Sequence, residues 1–303
     1  MLKDLKKKLV VIGGPTAVGK TSMAIALAKH FNTDVISADS RQFFRELHIG
    51  TAKPDAEQLK EARHHFVNSH SITEKYDAAQ FGKDALEVIR KLLNEKDHAI
   101  LCGGSGLYIK AAIEGFDEIP EIPAEVPQSI VDAYRVHGLE WLQNRMRELD
   151  PTMYQRIDQK NPHRLIRALE VKLGTGVSIS TFRKNEKLTH DFSIIKVGLD
   201  LPREQLNARI DKRIDQMIAT GLFAEAERMY PFRDHQSLQT VGYQEIFAYL
   251  DKAYDREEAI RLLKRNTRRY AKRQLTWFKQ DAQMRWFSPD QIDEIIEYVI
   301  THS

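Results

Sequence analysis

The chain has 303 residues, 42% of them hydrophobic and 29% charged, with a formal net charge of only +3. That length admits one large α/β domain or two smaller ones, and no apolar run approaches the ~20 residues that cross a bilayer, so an integral membrane protein is not expected. One cysteine, Cys102, excludes an internal disulfide and a multi-cysteine zinc site.

The start, Met1-Leu2-Lys3-Asp4-Leu5-Lys6-Lys7-Lys8, is basic but has no h-region or cleavage site of a secretory signal, and Cys102 reads as a small core residue; together they point to a reducing, cytoplasmic setting. A buried-type strand is predicted at 9–12, Leu9-Val10-Val11-Ile12. Directly after it comes Gly14-Pro15-Thr16-Ala17-Val18-Gly19-Lys20-Thr21, a complete phosphate-binding loop. In such a loop glycines let successive backbone N–H groups turn around a phosphate, and the next helix aims its positive end at the same point. Lys20 adds a point charge and the Thr21 hydroxyl is placed to ligate Mg²⁺. The helix is predicted at 21–30. The loop alone leaves open whether its tenant is a nucleoside triphosphate such as ATP or another diphosphate ester.

Further strands are predicted at 34–38, 98–102 and 193–199, with a long helix at 78–94. Alternation of strands and helices implies a parallel sheet with its ligands at the strands' carboxyl ends. The fold expected is therefore α/β, a P-loop NTPase-like parallel sheet flanked by helices. The second strand ends in Asp39-Ser40-Arg41-Gln42, one strand from the loop, where Asp39 can act as a base or hold a magnesium shell; a helix N-cap is its bland reading. The third ends in Gly103-Gly104-Ser105-Gly106, where a water-activating ATPase would carry an acidic residue. Glycines there let a substrate approach the backbone, or merely make a tight turn.

The stretch Ile119-Pro120-Glu121-Ile122-Pro123-Ala124-Glu125-Val126-Pro127 is expected to be a linker that no helix crosses. Amphipathic helices follow at 128–137, 139–149 and 162–173, so 118–195 is read as a helical insertion between core segments 1–117 and 196–303. Farther on, Arg209 and Arg213 are four apart and share a helix face, fit to neutralise a departing diphosphate or to pair with Asp211 and Asp215. From Arg261 to Lys279 run Arg261, Lys264, Arg265, Arg268, Arg269, Lys272, Arg273 and Lys279 without one acidic residue. This predicts a cationic face that tracks a polyanion, with Leu263, Tyr270 and Trp277 packed inward.

Taken together these strings resemble the bacterial tRNA dimethylallyltransferase family (tRNA delta(2)-isopentenylpyrophosphate transferase, IPP transferase). The resemblance rests on the loop, on Ser37-Ala38-Asp39-Ser40-Arg41-Gln42, on Ile49-Gly50-Thr51-Ala52-Lys53-Pro54 and on Gly103-Gly104-Ser105-Gly106-Leu107-Tyr108. Arg164-Leu165-Ile166-Arg167-Ala168-Leu169-Glu170, Val241-Gly242-Tyr243 and Lys272-Arg273-Gln274-Leu275-Thr276-Trp277 extend it over nearly the whole chain. It implies transfer of a dimethylallyl group from dimethylallyl diphosphate to N6 of adenosine 37, beside the anticodon of tRNAs that read U-starting codons. By the same resemblance Asp39 is the base, and Arg213, Ser105 and the loop hold the departing diphosphate with Mg2+. The anticodon stem-loop would meet Asp39, Ser40, Arg41, Gln42 and Ser105. It would also meet His163, Arg164, Leu165, Ile166 and Arg167, and the run Lys272, Arg273, Gln274, Leu275, Thr276, Trp277, Phe278 and Lys279. A monomer is implied, with the insertion clamping the stem. Ser105 stands where the family commonly has threonine. The other readings are a P-loop kinase of a small molecule or nucleoside, an adenylate isopentenyltransferase, and a nucleic-acid-binding regulator that senses nucleotide.

Overall fold

Strand β1 (Lys8–Gly13) is apolar from Leu9 to Ile12, and all four side chains are fully buried. Each such burial contributes about 1.5–3 kcal/mol, which only a position between other strands can supply. In the computed structural model, which describes residues 7–117, 119–182 and 188–302, β1 lies between β4 (His98–Gly103) and β5 (Ser193–Leu199). The sheet continues outward to β2 (Val35–Ser37) and β3 (His64–His65) on one side and to β6 (Arg285–Phe287) on the other. Its order is β3-β2-β4-β1-β5-β6, and every pairing is parallel.

Alternation along β1 feeds two layers. Val10 and Ile12 pack with Leu27 of the loop helix Lys20–His30 and with Ile210 and Leu263, whereas Leu9 and Val11 pack with Phe81 and Ile89 of helix Ala78–Glu95 and with Ile109. The sheet is thus covered on both faces, and its carboxyl edge carries the loop after β1, Asp39 after β2 and the glycine turn after β4. Because β4 inserts between β1 and β2, Asp39 faces the loop across that glycine turn. The α/β parallel architecture expected from the strand–helix alternation is the one observed. The short edge strands β3 and β6 carry no run long enough to announce them.

The chain divides into two compact units, Met1–Gly115 with Thr189–Ser303, and Phe116–Leu188. The second unit therefore ends before residue 195, because residues 193–199 are already β5. Residues 1–6 of the basic start and residue 118, where the insertion was expected to begin, lie outside the described residues. Within the second unit, helices Glu125–Leu149 and Pro162–Thr175 pack Leu142, Met146, Leu165 and Leu169 together. The proline linker is shorter than expected: Pro127 lies in the first turn of its helix, where its missing N–H costs no intrahelical bond. Gly138, at φ +71°, kinks that helix between the two segments predicted separately.

One buried carboxylate orders a loop at the carboxyl edge. Glu225, 1% exposed, accepts the backbone N–H groups of His48, Ile49 and Gly50 at 2.9–3.0 Å and the Tyr243 hydroxyl at 2.6 Å. Burial alone would raise its pKa, but these four donors hold it below the usual carboxylate range. Tyr243 fills the space against Gly50, where any Cβ would come within 2.7 Å of the phenol ring. Glu225→Ala leaves three buried amides unpaired and is expected to cost about 3 kcal/mol, read as a fall of roughly 6–12 °C in the thermal midpoint. A midpoint within 2 °C of wild type, roughly the shift from 0.5–1 kcal/mol, contradicts this role.

Candidate active site

The loop after β1 has Gly14 at φ +149°, Ala17 at +65° and Gly19 at +114°. Gly14 is obligatory, since a Cβ would lie 2.6 Å from the Leu199 carbonyl oxygen. Ala17 is a residue with a Cβ held in the left-handed region, a strained geometry that persists only where neighbours impose it. Lys20 folds back so that Nζ donates to the Pro15 carbonyl at 2.7 Å. Burial strips its ammonium of water and pushes the pKa down to about 8; Asp39 opposes the shift and Arg213 adds to it.

Helix Arg203–Ala219 brings Arg209 and Arg213 to this loop. Arg213 Nη1 donates to Thr16 Oγ1 at 3.3 Å, and Arg209 Nη1 donates to the Val18 carbonyl at 3.2 Å. Asp211 and Asp215 turn to a different neighbour, pairing with Arg268 at 2.5 Å and Lys264 at 2.6 Å. The ion-pair reading of the two arginines is therefore replaced by loop contacts. Burial also pushes the Arg213 and Arg41 guanidiniums down, with Asp39 opposing in both cases.

Asp39 is neither a helix cap nor a free surface acid. Its Oδ1 accepts the Arg41 N–H at 3.0 Å in a turn that fixes the carboxylate, and the side chain lines two cavities. One is a polar groove of about 570 Å³ over Lys20, Thr21, Gln42 and Gly104. The other is a chamber of about 100 Å³ walled by Ile210, Ile214, Met217, Leu222, Val241 and Leu263. Thr16, Ala17, Asp39, Arg213 and Tyr270 border both.

Three expectations change here. Ser105 Oγ accepts the Ser40 N–H at 3.0 Å and bonds to Tyr270, so it braces the Asp39 turn. The glycines after β4 are required by packing, while Gly103 and Gly104 still line the polar groove. A Cβ at Gly103 would lie 2.0 Å from the Ala38 carbonyl, at Gly104 2.3 Å from Gln274, and at Gly106 2.0 Å from Trp277. The basic helix Arg256–Phe278 spends part of its charge internally. Arg261 pairs with Glu258 and Lys279 with Asp200, in addition to the pairs of Lys264 and Arg268. Each exposed pair is worth at most about 1 kcal/mol, yet each cancels a cation. Among the described residues, Arg265, Arg269, Lys272 and Arg273 form no ion pair and remain available.

Of the residues expected to meet RNA, Lys272, Arg273, Thr276, Trp277 and Lys279 are exposed, as are His163, Arg164 and Arg167 in the second unit. Trp277 is 42% exposed where inward packing was expected. Gln274, Phe278 and Leu165 are buried, so they cannot present a surface to RNA, and Leu275 and Ile166 are half-buried. Gln42 spends its amide on the Thr51 and Ala52 carbonyls. Sequence reasoning missed Glu225, the placement of Tyr270 beside Asp39, and the apolar chamber. The chamber had a signal in Ile210, Ile214 and Met217, spaced i, i+4, i+7 next to Arg213.

A family model described as IPP transferase matches residues 42–281. The chain belongs to the IPP transferase family. Among curated members it is 48% identical over 295 residues to a tRNA dimethylallyltransferase of Cytophaga hutchinsonii, covering 97% of each chain. To one of Christiangramia forsetii it is 46% identical, covering 96% of this chain and 97% of that one. A full-length tRNA isopentenylpyrophosphate transferase of Bacillus halodurans superposes with TM-score 0.71 at 37% identity, over 97% of this chain and 96% of that one. The family match begins at Gln42, so the phosphate loop and Asp39 of this IPP transferase stand on the geometry above.

Lys20 gives the site a pH signature. With its pKa at about 8, a bound anion would restore the charged form and take up a proton above that pH. Below it, Lys20 is charged in both states and contributes no slope. Inorganic diphosphate affinity should therefore weaken, relative to Lys20→Gln, by up to about tenfold per pH unit as pH rises from 8 towards 10. Parallel pH profiles for the two proteins in calorimetry would contradict it.

Proposed function

We propose that this chain transfers a dimethylallyl group from dimethylallyl diphosphate to N6 of adenosine 37 in tRNA, giving N6-isopentenyladenosine and diphosphate. The observation that carries the reading is the apolar chamber opening beside Thr16, Arg213 and Asp39. An apolar cavity of ~150 Å³ accepts benzene, so one of about 100 Å³ is on the scale of a five-carbon chain. A kinase needs a polar acceptor next to its loop, and a wall of isoleucine, leucine and methionine disfavours one. The names of the curated relatives agree with prenyl transfer to tRNA. A free nucleotide acceptor would have no use for the unpaired Arg265, Arg269, Lys272 and Arg273, which suit an RNA backbone.

In this reading the loop amides, Lys20 and Arg213 hold the diphosphate while the prenyl tail enters the chamber. The bond from C1 to the diphosphate oxygen breaks and the bond from C1 to N6 forms. The proton of N6 passes to Asp39, and diphosphate leaves with the electron pair. The growing charge on the leaving group is met by groups already in place, which is where most of the acceleration lies. Residues suitable for Mg2+ are few. Among the described residues no group of three or more His, Cys, Asp or Glu could hold a metal. Thr21, in the groove with Asp39, suits instead an ion that arrives on the diphosphate and keeps several waters. When bound, Mg2+ would neutralise diphosphate charge. The target adenosine must leave its stack to reach Asp39, and apolar walls keep water from the allylic centre. No helix of the described residues is long and apolar enough to cross a membrane, which agrees with a cytoplasmic enzyme. Exposed His163, Arg164 and Arg167 suit the anticodon stem.

Asp39→Ala should lower the rate of transfer from labelled dimethylallyl diphosphate to tRNA by about 10²-fold or more, with tRNA affinity largely kept. Arg213→Ala should lower kcat by about 10²–10³-fold with a smaller effect on tRNA affinity. Full activity of the Asp39 variant removes the base; an unchanged rate in the Arg213 variant removes Arg213 from the leaving-group site.

A further inference from the structure

Gln274 stands on the cationic helix but faces away from solvent, with 7% of its surface exposed. Its Oε1 accepts the N–H of Thr16 at 2.8 Å, and its Nε2 donates to the Gly104 carbonyl at 2.8 Å. Thr16 is the residue whose hydroxyl receives Arg213, and Ala17, next in the chain, holds φ +65°. Among the described residues no other amide of residues 14–21 is bonded to a side chain. The register of this helix is fixed one turn beyond Gln274. Phe278 packs where a Cβ on Gly13 would come within 2.7 Å, and Trp277 packs against Gly106. The absent Cβ of Gly104 leaves the space that Nε2 occupies.

We propose that Gln274 is a positioning residue for the phosphate loop. It ties the Thr16 amide to the turn after β4, which fixes Ala17 in its strained conformation and leaves the later amides and Arg213 aimed at the diphosphate. The helix that offers Lys272 and Arg273 to a polyanion on its exposed face thereby also sets the geometry of the loop on its buried face. This rests on the prenyl-transfer reading for its kinetic consequences and on geometry alone for phosphate binding.

Two variants test it. Gln274→Met keeps the volume and removes both hydrogen bonds. Gln274→Glu keeps the acceptor, loses the donor and adds a negative charge beside the loop. Losing two neutral hydrogen bonds, about fivefold each, should raise the KM for dimethylallyl diphosphate and the Kd for inorganic diphosphate about 25-fold in Gln274→Met. In Gln274→Glu both should rise further, while the KM for tRNA stays within about twofold in either variant. Unchanged diphosphate binding in both variants overturns the proposal. So does a parallel rise in both KM values, as expected of an RNA contact or of general support to the fold. Diphosphate binding by calorimetry needs no turnover. Wild-type protein that binds diphosphate but modifies no tRNA would defeat the functional reading and leave the positioning role standing on its Kd. Wild-type protein that does not bind diphosphate would overturn both.

Discussion

The arrangement depends on a charge imbalance among half-buried side chains. Lys20, Arg41 and Arg213 are all pushed down by burial, and all three feel the same carboxylate, Asp39. One carboxylate cannot neutralise three cations, and desolvated charge without a partner is costly. Such an excess of positive charge favours the entry of an anion. The parallel sheet exists, in functional terms, to bring the ends of β1, β2 and β4 close enough to create it.

Helix Arg203–Ala219 shows how one element can serve several ends by rotating through its faces. Arg209 and Arg213 reach the loop, Ile210, Ile214 and Met217 wall the chamber, and Asp211 and Asp215 hold the basic helix. Residues three and four apart share a face, so each of these sets recurs at helical spacing. The loop contacts, the chamber wall and the attachment of the cationic helix are therefore set by a single helix orientation. The loop 48–54 is held separately, by Glu225 and by Lys53, whose pKa burial pushes down to about 8 while Glu225 and Glu46 oppose.

Much of this was legible in the chain. Local signals suffice for β1, β4 and β5, for the loop, and for the shared face of Arg209 and Arg213, because periodicity and turn chemistry are properties of adjacent residues. What could not be read depends on partners far away in sequence. The cations of the basic helix looked free because Asp200, Asp211 and Asp215 lie on other elements. The packing at Gly104 and Gly106 was hidden because Gln274 and Trp277, which make it, come some 170 residues later. Glu225 looked like one more charge on a surface helix, and only folding brings three amides and a phenol onto it. Pro127 was read as a helix breaker, a rule that does not apply in the first helical turn.

The central claim is that the phosphate bound by the loop is a leaving group and not a donor of phosphoryl. The most direct measurement is a paired assay of tRNA incubated with the protein, Mg2+ and dimethylallyl diphosphate, with no ATP present. Nucleosides from digested tRNA are quantified by mass spectrometry and released diphosphate is measured enzymatically. The account predicts one diphosphate released for each N6-isopentenyladenosine formed, located at position 37. Phosphorylated product or ATP-dependent turnover, with no prenylated adenosine, would contradict it.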